Sequence, residues 1–172
     1  MEVYRCRFCG ETHLGLGPIT NCPFCGAHSR YMVKISEWKE ENTGVEYGEI
    51  SKQNIEKALD VEIGNASFYL AASKASQSTE AEGIFKRLSK VETEHAEVFS
   101  KLLVIEMPPL QKLESKGSDR ANFEESFRRE SLAVEHYKKS AGEATEPRIK
   151  EVFSLLMEIE TDHLNLDKQR LS

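Results

Sequence analysis

The chain has 172 residues, of which 39% are hydrophobic and 30% are charged, and its formal net charge is −6. This length suits one medium domain with a small additional one, and no apolar run reaches the roughly 20 residues that a membrane-spanning helix needs. The acidic charge disfavours binding along a nucleic-acid backbone, and the first residues lack the apolar segment of a secretory signal. We therefore expect a cytoplasmic protein without nucleic-acid or membrane partners.

Residues 1–35 predict a small metal-binding module. Its cysteines form two Cys-x-x-Cys pairs that are separated by 12 residues: Cys6, Cys9, Cys22 and Cys25. Because each pair can present two thiolates to one metal, this spacing is typical of a tetrahedral four-thiolate site. Zinc would make the site structural and iron would make it a one-electron carrier, and the spacing favours neither metal.

A polar connector over residues 36–51 leads into a helical region over residues 52–172. Apolar residues recur there every three or four positions, as on one face of an amphipathic helix. Three signals divide the region: a serine-rich stretch before Thr79, two prolines after Met107, and Pro147, which suits a first helical turn. These signals predict four helices: A over about 52–76, B over 80–106, C over 119–141 and D over 146–170.

The links between the helices predict how they pack. Short links join A to B and C to D, so each pair should be an antiparallel hairpin. The link over residues 107–118 can span about 40 Å, roughly the length of a 25-residue helix, so it can run back along the bundle. We expect it to let C start at the end where A starts. The predicted fold is all-α, a ferritin-like four-helix bundle with a long B–C crossover, preceded by the cysteine module.

The two hairpins repeat each other at an offset of 68 residues. Residues of the same type coincide in this register without a gap: Glu62 with Glu130, Tyr69 with Tyr137, Phe85 with Phe153, Leu88 with Leu156, Glu92 with Glu160, and His95 with His163. Matches of so many residue types in one register indicate a duplicated hairpin. We expect a pseudo-twofold axis to relate the two copies.

Four of the repeated residues are glutamates on apolar helix faces. Glu62 and Glu130 each follow an apolar residue by three positions, and Glu92 and Glu160 each follow a leucine by four. Within each hairpin the two glutamates are 30 residues apart and equidistant from the turn, so they should lie side by side. Unpaired carboxylates in a bundle core are costly, so these residues predict bound cations.

Each hairpin thus sets one glutamate beside a Glu-x-x-His, whose two side chains share a helix face. The predicted catalytic and metal-binding set in the bundle is Glu62, Glu92, His95, Glu130, Glu160 and His163. Two divalent cations would balance four carboxylates, and this donor set suits iron, with manganese as the alternative. The same pattern describes di-iron carboxylate bundles. The alternatives are a solvated helix face with incidental histidines and a bundle that has lost its metal.

Two tyrosines also occupy matched positions in the repeat. Tyr69 and Tyr137 each follow a predicted ligand glutamate by seven residues. Each can hydrogen-bond a ligand carboxylate, or it can be a core aromatic with a satisfied hydroxyl group.

Taken together, the two modules resemble rubrerythrin with its rubredoxin-like part placed first. Residues 61–69 and 129–137 are similar to the segments of helices A and C in which a ligand glutamate precedes a tyrosine. Residues 91–96 and 158–163 are similar to the metal-binding stretches of helices B and D. The resemblance implies bridging roles for Glu92 and Glu160. It also implies terminal ligands on one iron each, Glu62 with His95 and Glu130 with His163.

The resemblance implies a non-haem peroxidase. Electrons from a separate reductase would pass through iron at the four-cysteine site to two irons in the bundle, where hydrogen peroxide or oxygen is reduced. One position departs from the pattern, because many rubrerythrins have a further carboxylate where this chain has Ala133. This departure favours an alternative, a ferritin-like protein that oxidises iron or scavenges oxygen. A further alternative, drawn from the cysteine module, is a zinc-ribbon adaptor with a structural bundle. We also expect a homodimer.

Overall fold

The computed structural model describes residues 1–17 and 19–172. Four long helices follow residue 48: α1 Glu49–Ala75, α2 Thr79–Leu103, α3 Asp119–Glu143 and α4 Pro147–Leu171. The first begins three residues before its predicted start, within the predicted connector. The four helices confirm the predicted ferritin-like bundle. Within the described residues, no helix is both long enough and apolar enough to cross a membrane.

Local chemistry sets the helix ends. Ser78 and Ser118 accept hydrogen bonds from backbone N–H groups in the first turns of α2 and α3, and Pro147 stands in the first turn of α4 as predicted. Helix α2 ends at Leu103, three residues before the predicted end. The reason is Val104, whose φ of 56° is left-handed and breaks the helical path.

The link after α2 runs the length of the bundle. It begins near the start of α1, where the Tyr47 hydroxyl donates to the Leu102 carbonyl at 2.8 Å, and passes α1 where the Gln111 N–H donates to the Ser67 hydroxyl at 2.9 Å. At the far end, Asp119 accepts from backbone N–H groups of the α1–α2 turn at 3.0 Å. The crossover is confirmed. The expectation that the third helix starts where the first starts was wrong, because a link that recrosses the bundle returns the chain to the end where α2 begins.

The N-terminal part adds a small antiparallel sheet, which the sequence analysis did not assign. Its order is β2–β1–β3, with β1 at Glu2–Cys6, β2 at Thr12–Gly15 and β3 at Met32–Lys34. After each cysteine pair the chain turns at a glycine, Gly10 or Gly26, with a φ of 84° or 81°. Residues with side chains rarely adopt these angles, so glycine suits both turns.

The cysteine module packs directly on the bundle. Its four cysteines belong to the same buried apolar cluster as residues of all four helices, among them Ile55, Phe99, Tyr137 and Phe153. Arg87 on α2 donates to the carbonyls of Pro23 and Phe24, and Arg30 pairs with Glu158 on α4. The module is therefore held against the face formed by α2 and α4.

Candidate metal centres

The four cysteines form the first candidate centre. They are buried, none forms a disulfide, and their sulfur atoms all lie within 4.8 Å of one another. The backbone N–H groups of Phe8 and Glu11 point at the sulfurs of Cys6 and Cys9, each at 3.4 Å. Such amides stabilise negative charge on sulfur. Burial raises the pKa of the Cys25 thiol, so a thiolate there needs a cation, and four converging sulfurs suit iron or zinc.

The six bundle residues predicted from the sequence converge at one level of the bundle. They form two overlapping groups of four, and within each group the ligand atoms lie within 4.8 Å of one another. One group is Glu62, Glu92, His95 and Glu160, and the other is Glu92, Glu130, Glu160 and His163. All six lie in the protein interior, and only the His163 side chain, at 11%, has an appreciable exposed fraction.

Two glutamates belong to both groups, and each divides its oxygens between the two histidines. His95 Nδ1 lies 3.1 Å from Glu92 Oε2 and 3.3 Å from Glu160 Oε1. His163 Nδ1 lies 3.2 Å from Glu92 Oε1 and 2.7 Å from Glu160 Oε2. One oxygen of each carboxylate thus faces each histidine, which is the arrangement that two bridged cations require.

The other two glutamates each face one histidine and are oriented by a tyrosine. His95 Nδ1 lies 3.7 Å from Glu62, and His163 Nδ1 lies 3.8 Å from Glu130. The hydroxyl of Tyr137 on α3 donates to Glu62 Oε1, and that of Tyr69 on α1 donates to Glu130 Oε1. Each tyrosine therefore holds a carboxylate on the opposite hairpin, and the two contacts obey the pseudo-twofold relation.

Several polar atoms of the cluster are unpaired, and they show whether the six residues suit bound cations. Six buried atoms make no hydrogen bond of acceptable geometry to the described residues, although His163 Nδ1 lies 2.7 Å from one Glu160 oxygen. They are Glu62 Oε2, Glu92 Oε1, Glu130 Oε2, both carboxylate oxygens of Glu160, and His163 Nδ1. Burial also raises the pKa of Glu62 and Glu130 well above the usual range for a carboxyl group. Two divalent cations would bind the unpaired atoms and favour the ionised carboxylates. The residues therefore fit a pair of metal ions, and oxygen with imidazole suits iron or manganese.

The two centres meet at a contact that the sequence analysis missed. His95 Nε2 lies 2.9 Å from the carbonyl oxygen of Cys25, and the Phe8 ring meets the His95 ring edge-on with centroids 5.8 Å apart. Cys25 thus belongs to one centre, and its carbonyl fixes a histidine of the other. Cys25 and His95 are 70 residues apart, and no local pattern signals a contact at that range.

A further buried carboxylate was also missed. Asp167 on α4 is fully buried, one helical turn beyond His163. Burial raises its pKa to about 7. The sequence does contain a signal for it, because residues four apart share a helix face and Asp167 therefore lies on the face of a predicted ligand.

Comparison with known proteins places the bundle in a family. A family model described as Rubrerythrin matches residues 53–169, which span more than half of the chain and include all six bundle residues. No curated protein and no solved structure was found to match the chain significantly. The four-cysteine cluster lies before the matched range and is consistent with a rubredoxin-like module.

Proposed function

This chain belongs to the rubrerythrin family, and we propose that it reduces hydrogen peroxide at a pair of irons in the bundle, using electrons that arrive through an iron at the four-cysteine site. Family membership supports an iron-dependent oxidoreductase. The observation that carries the electron route is the contact between His95 Nε2 and the Cys25 carbonyl at 2.9 Å. It joins the two candidate centres within a single chain.

Reduction of one hydrogen peroxide to two water molecules consumes two electrons and two protons. Irons held in the bundle would supply the electrons for cleavage of the O–O bond. The chain would hold them with bridging Glu92 and Glu160, and with one terminal pair on each side, Glu62 with His95 and Glu130 with His163. The four cysteines would hold a third iron.

His95 has a distinct task on each ring nitrogen. Nδ1 faces Glu62, Glu92 and Glu160, whereas Nε2 lies against the Cys25 carbonyl, which can only accept a hydrogen bond. The proton therefore resides on Nε2 and leaves the Nδ1 lone pair for a cation. From the Cys25 sulfur to His95 Nδ1, the connection consists of covalent bonds and one hydrogen bond.

The opposite half of the site is the proposed approach for peroxide. His95 is fully buried and lies against the module, whereas 11% of the His163 side chain is exposed. We therefore place the approach of a small polar molecule on the His163 side, away from the module. Electron delivery and substrate access are then assigned to different histidines.

A second candidate function is oxidation of iron or scavenging of oxygen. Ala133 is 1% exposed and stands at the position where many family members have a further carboxylate. Its methyl group cannot bind a cation. Alanine at this position favours oxidation of iron or scavenging of oxygen, for which the six predicted ligands suffice.

Rapid mixing of the reduced, iron-loaded protein with peroxide under anaerobic conditions tests the proposal. We expect the ferric-thiolate colour of the four-cysteine site to return on mixing, with two electrons consumed per peroxide, and the double variant Glu92→Gln, Glu160→Gln to lose this response. A response to oxygen alone would replace peroxide reduction with oxygen scavenging. Iron uptake far above three ions per chain would indicate iron storage. A colourless zinc site would contradict the electron route and favour the adaptor.

A further inference from the structure

The two halves of the bundle differ in the polar groups near the tyrosine that contacts a terminal glutamate. The Tyr69 hydroxyl contacts Glu130 on one side and the Ser126 hydroxyl, at 3.0 Å, on the other. The Ser126 hydroxyl also lowers the pKa of the Asp167 carboxyl group, although neither Asp167 oxygen makes a hydrogen bond to the described residues. A row of polar groups thus leads from Asp167 on α4 past Ser126 on α3 and Tyr69 on α1 to a predicted iron ligand.

Among the residues that the structure describes, the first half of the bundle has no such row of polar groups. At the offset of 68 residues, Ala58 stands in place of Ser126 and Phe99 in place of Asp167, and both are fully buried. Tyr137 has the Phe99 ring as a neighbour, with centroids 6.3 Å apart. The shared tyrosine and glutamate are therefore kept in both halves, and the polar extension is present in one.

Asp167 is placed to hold a proton. It is fully buried, and among the described residues neither of its oxygens is held in a well-formed hydrogen bond or in an ion pair. Burial raises its pKa to about 7, although the Ser126 hydroxyl and His163 on its own helix oppose the rise and Glu92 from α2 adds to it. An unpartnered carboxyl in a core costs free energy, which an apolar side chain such as Phe99 avoids.

We propose that Asp167 is the proton donor of the bundle site and acts through the hydroxyl groups of Ser126 and Tyr69. Each hydroxyl accepts one proton and passes on its own, so the chain delivers a proton at Glu130 and leaves Asp167 ionised until it takes up another from water. The inference rests on the proposed function, in which each peroxide consumes two protons. Electrons then arrive beside His95 and protons arrive in the other half.

Infrared spectroscopy of the iron-loaded protein tests the donor without turnover. Because burial also raises the pKa of Glu94 to about 7, the spectra are compared in a Glu94→Gln background. There we expect a protonated-carboxyl C=O band that disappears as the pH rises through about 7 and is missing when Asp167→Asn is added. Asparagine has nearly the same size, so packing is kept while the proton is lost. Absence of the band at pH 6 in the Glu94→Gln protein, or its persistence when Asp167→Asn is added, would overturn the assignment.

Single-turnover mixing with peroxide tests the relay. Asp167→Asn and Ser126→Ala should each slow the reaction by at least about tenfold, a cautious lower bound because general acid catalysis contributes about 100-fold or more. The iron content of both variants should be unchanged. Both should also lose the fall in rate that the natural sequence shows as the pH rises through the range of Asp167. Asp60→Asn, which removes the same charge from an exposed position, should change neither.

The outcomes separate the inference from the function on which it rests. If the natural sequence reduces peroxide and both relay variants keep its rate and pH profile, the proton route is wrong and the proposed function stands. If the natural sequence does not reduce peroxide, the proposed function fails and the proton route fails with it. A rate loss caused only by missing iron would also count against the relay.

Discussion

The two hairpins hold the same candidate ligands in different surroundings. In the first hairpin, His95 is fully buried and lies against the Cys25 carbonyl of the module. In the second, the His163 side chain is 11% exposed, and the unpaired carboxyl group of Asp167 is buried one helical turn away. The matched ligand types are what two cations would demand of both halves. The surroundings of the two histidines differ because, of the pair, only His95 contacts the described residues of the module. The two copies of a duplicated hairpin can therefore serve different steps of one reaction.

The largest expected effect is a loss of bundle metal, and it distinguishes a glutamate that faces both histidines from one that faces a single histidine. Glu92 faces both histidines, whereas Glu62 faces His95 alone. Glu92→Gln should therefore empty both cation positions of the bundle, and Glu62→Gln should weaken one. Metal analysis per chain after dialysis measures the difference. Equal losses in the two variants would contradict the assignment of Glu92 as a bridge.

A second test compares the two tyrosines. Each donates a hydrogen bond to one terminal glutamate, so Tyr69→Phe and Tyr137→Phe should each lower metal affinity in one half by about 10- to 100-fold. Only Tyr69→Phe also cuts the link to Ser126. Anaerobic metal titration measures the affinities, and the pH profile of turnover measures the link. A pH profile altered to the same extent in both variants would show that the halves do not differ in proton supply.

The bundle and the grouping of its polar residues follow largely from the sequence. Periodicity at three and four residues gives the helices, and the equal distance of Glu62 and Glu92 from the turn places them side by side. The structure brings the six predicted ligands together, and their role in binding iron stays a prediction. The end at which α3 starts was predicted wrongly, because an antiparallel hairpin returns the chain to the end where α1 begins and a full-length crossover then carries it to the opposite end.

The contacts that distinguish the two halves were not predictable in the same way. The position of Cys25 over His95 depends on how a small sheet docks on two helices, through contacts such as those of Arg87 with the module. Those contacts join residues far apart in the chain and have no period. Asp167 has no counterpart in the repeat, where Phe99 stands, so a search for matched residues passes over it.

A third test weakens the contact between the cysteine module and the bundle. Arg87 donates to the carbonyls of Pro23 and Phe24, so Arg87→Ala should lower the free energy of opening the module by about 1 kcal/mol and speed hydrogen exchange there roughly fivefold. Arg120→Ala is the control, because Arg120 pairs with Glu124 on an exposed face of α3. Equal exchange in the two variants would show that Arg87 does not hold the module.

The smallest expected effect lies at the end of the bundle where α1 and α4 begin. Glu146 accepts from the Gly48 N–H and the Ser51 hydroxyl, each at 2.7 Å, which lowers the pKa of its carboxyl from 4.5 to about 2. Because the folded pKa is the lower one, the stabilisation is present above pH 4.5 and is lost as the pH falls towards 2.

Glu146→Gln should therefore lower the free energy of unfolding by less than about 1 kcal/mol at pH 7, since the group lies at the surface. Urea unfolding at a series of pH values measures the effect, and the difference from the natural sequence should shrink towards pH 2. A difference that stays constant over that range would assign the effect to packing instead of charge.

An anomalous-difference map of crystals of the iron-loaded protein would show whether the bundle binds a pair of irons. We expect two iron peaks between His95 and His163, bridged by Glu92 and Glu160, and a third peak among the four cysteines. A bundle without metal peaks, or with a single peak bound by only one hairpin, would contradict this expectation.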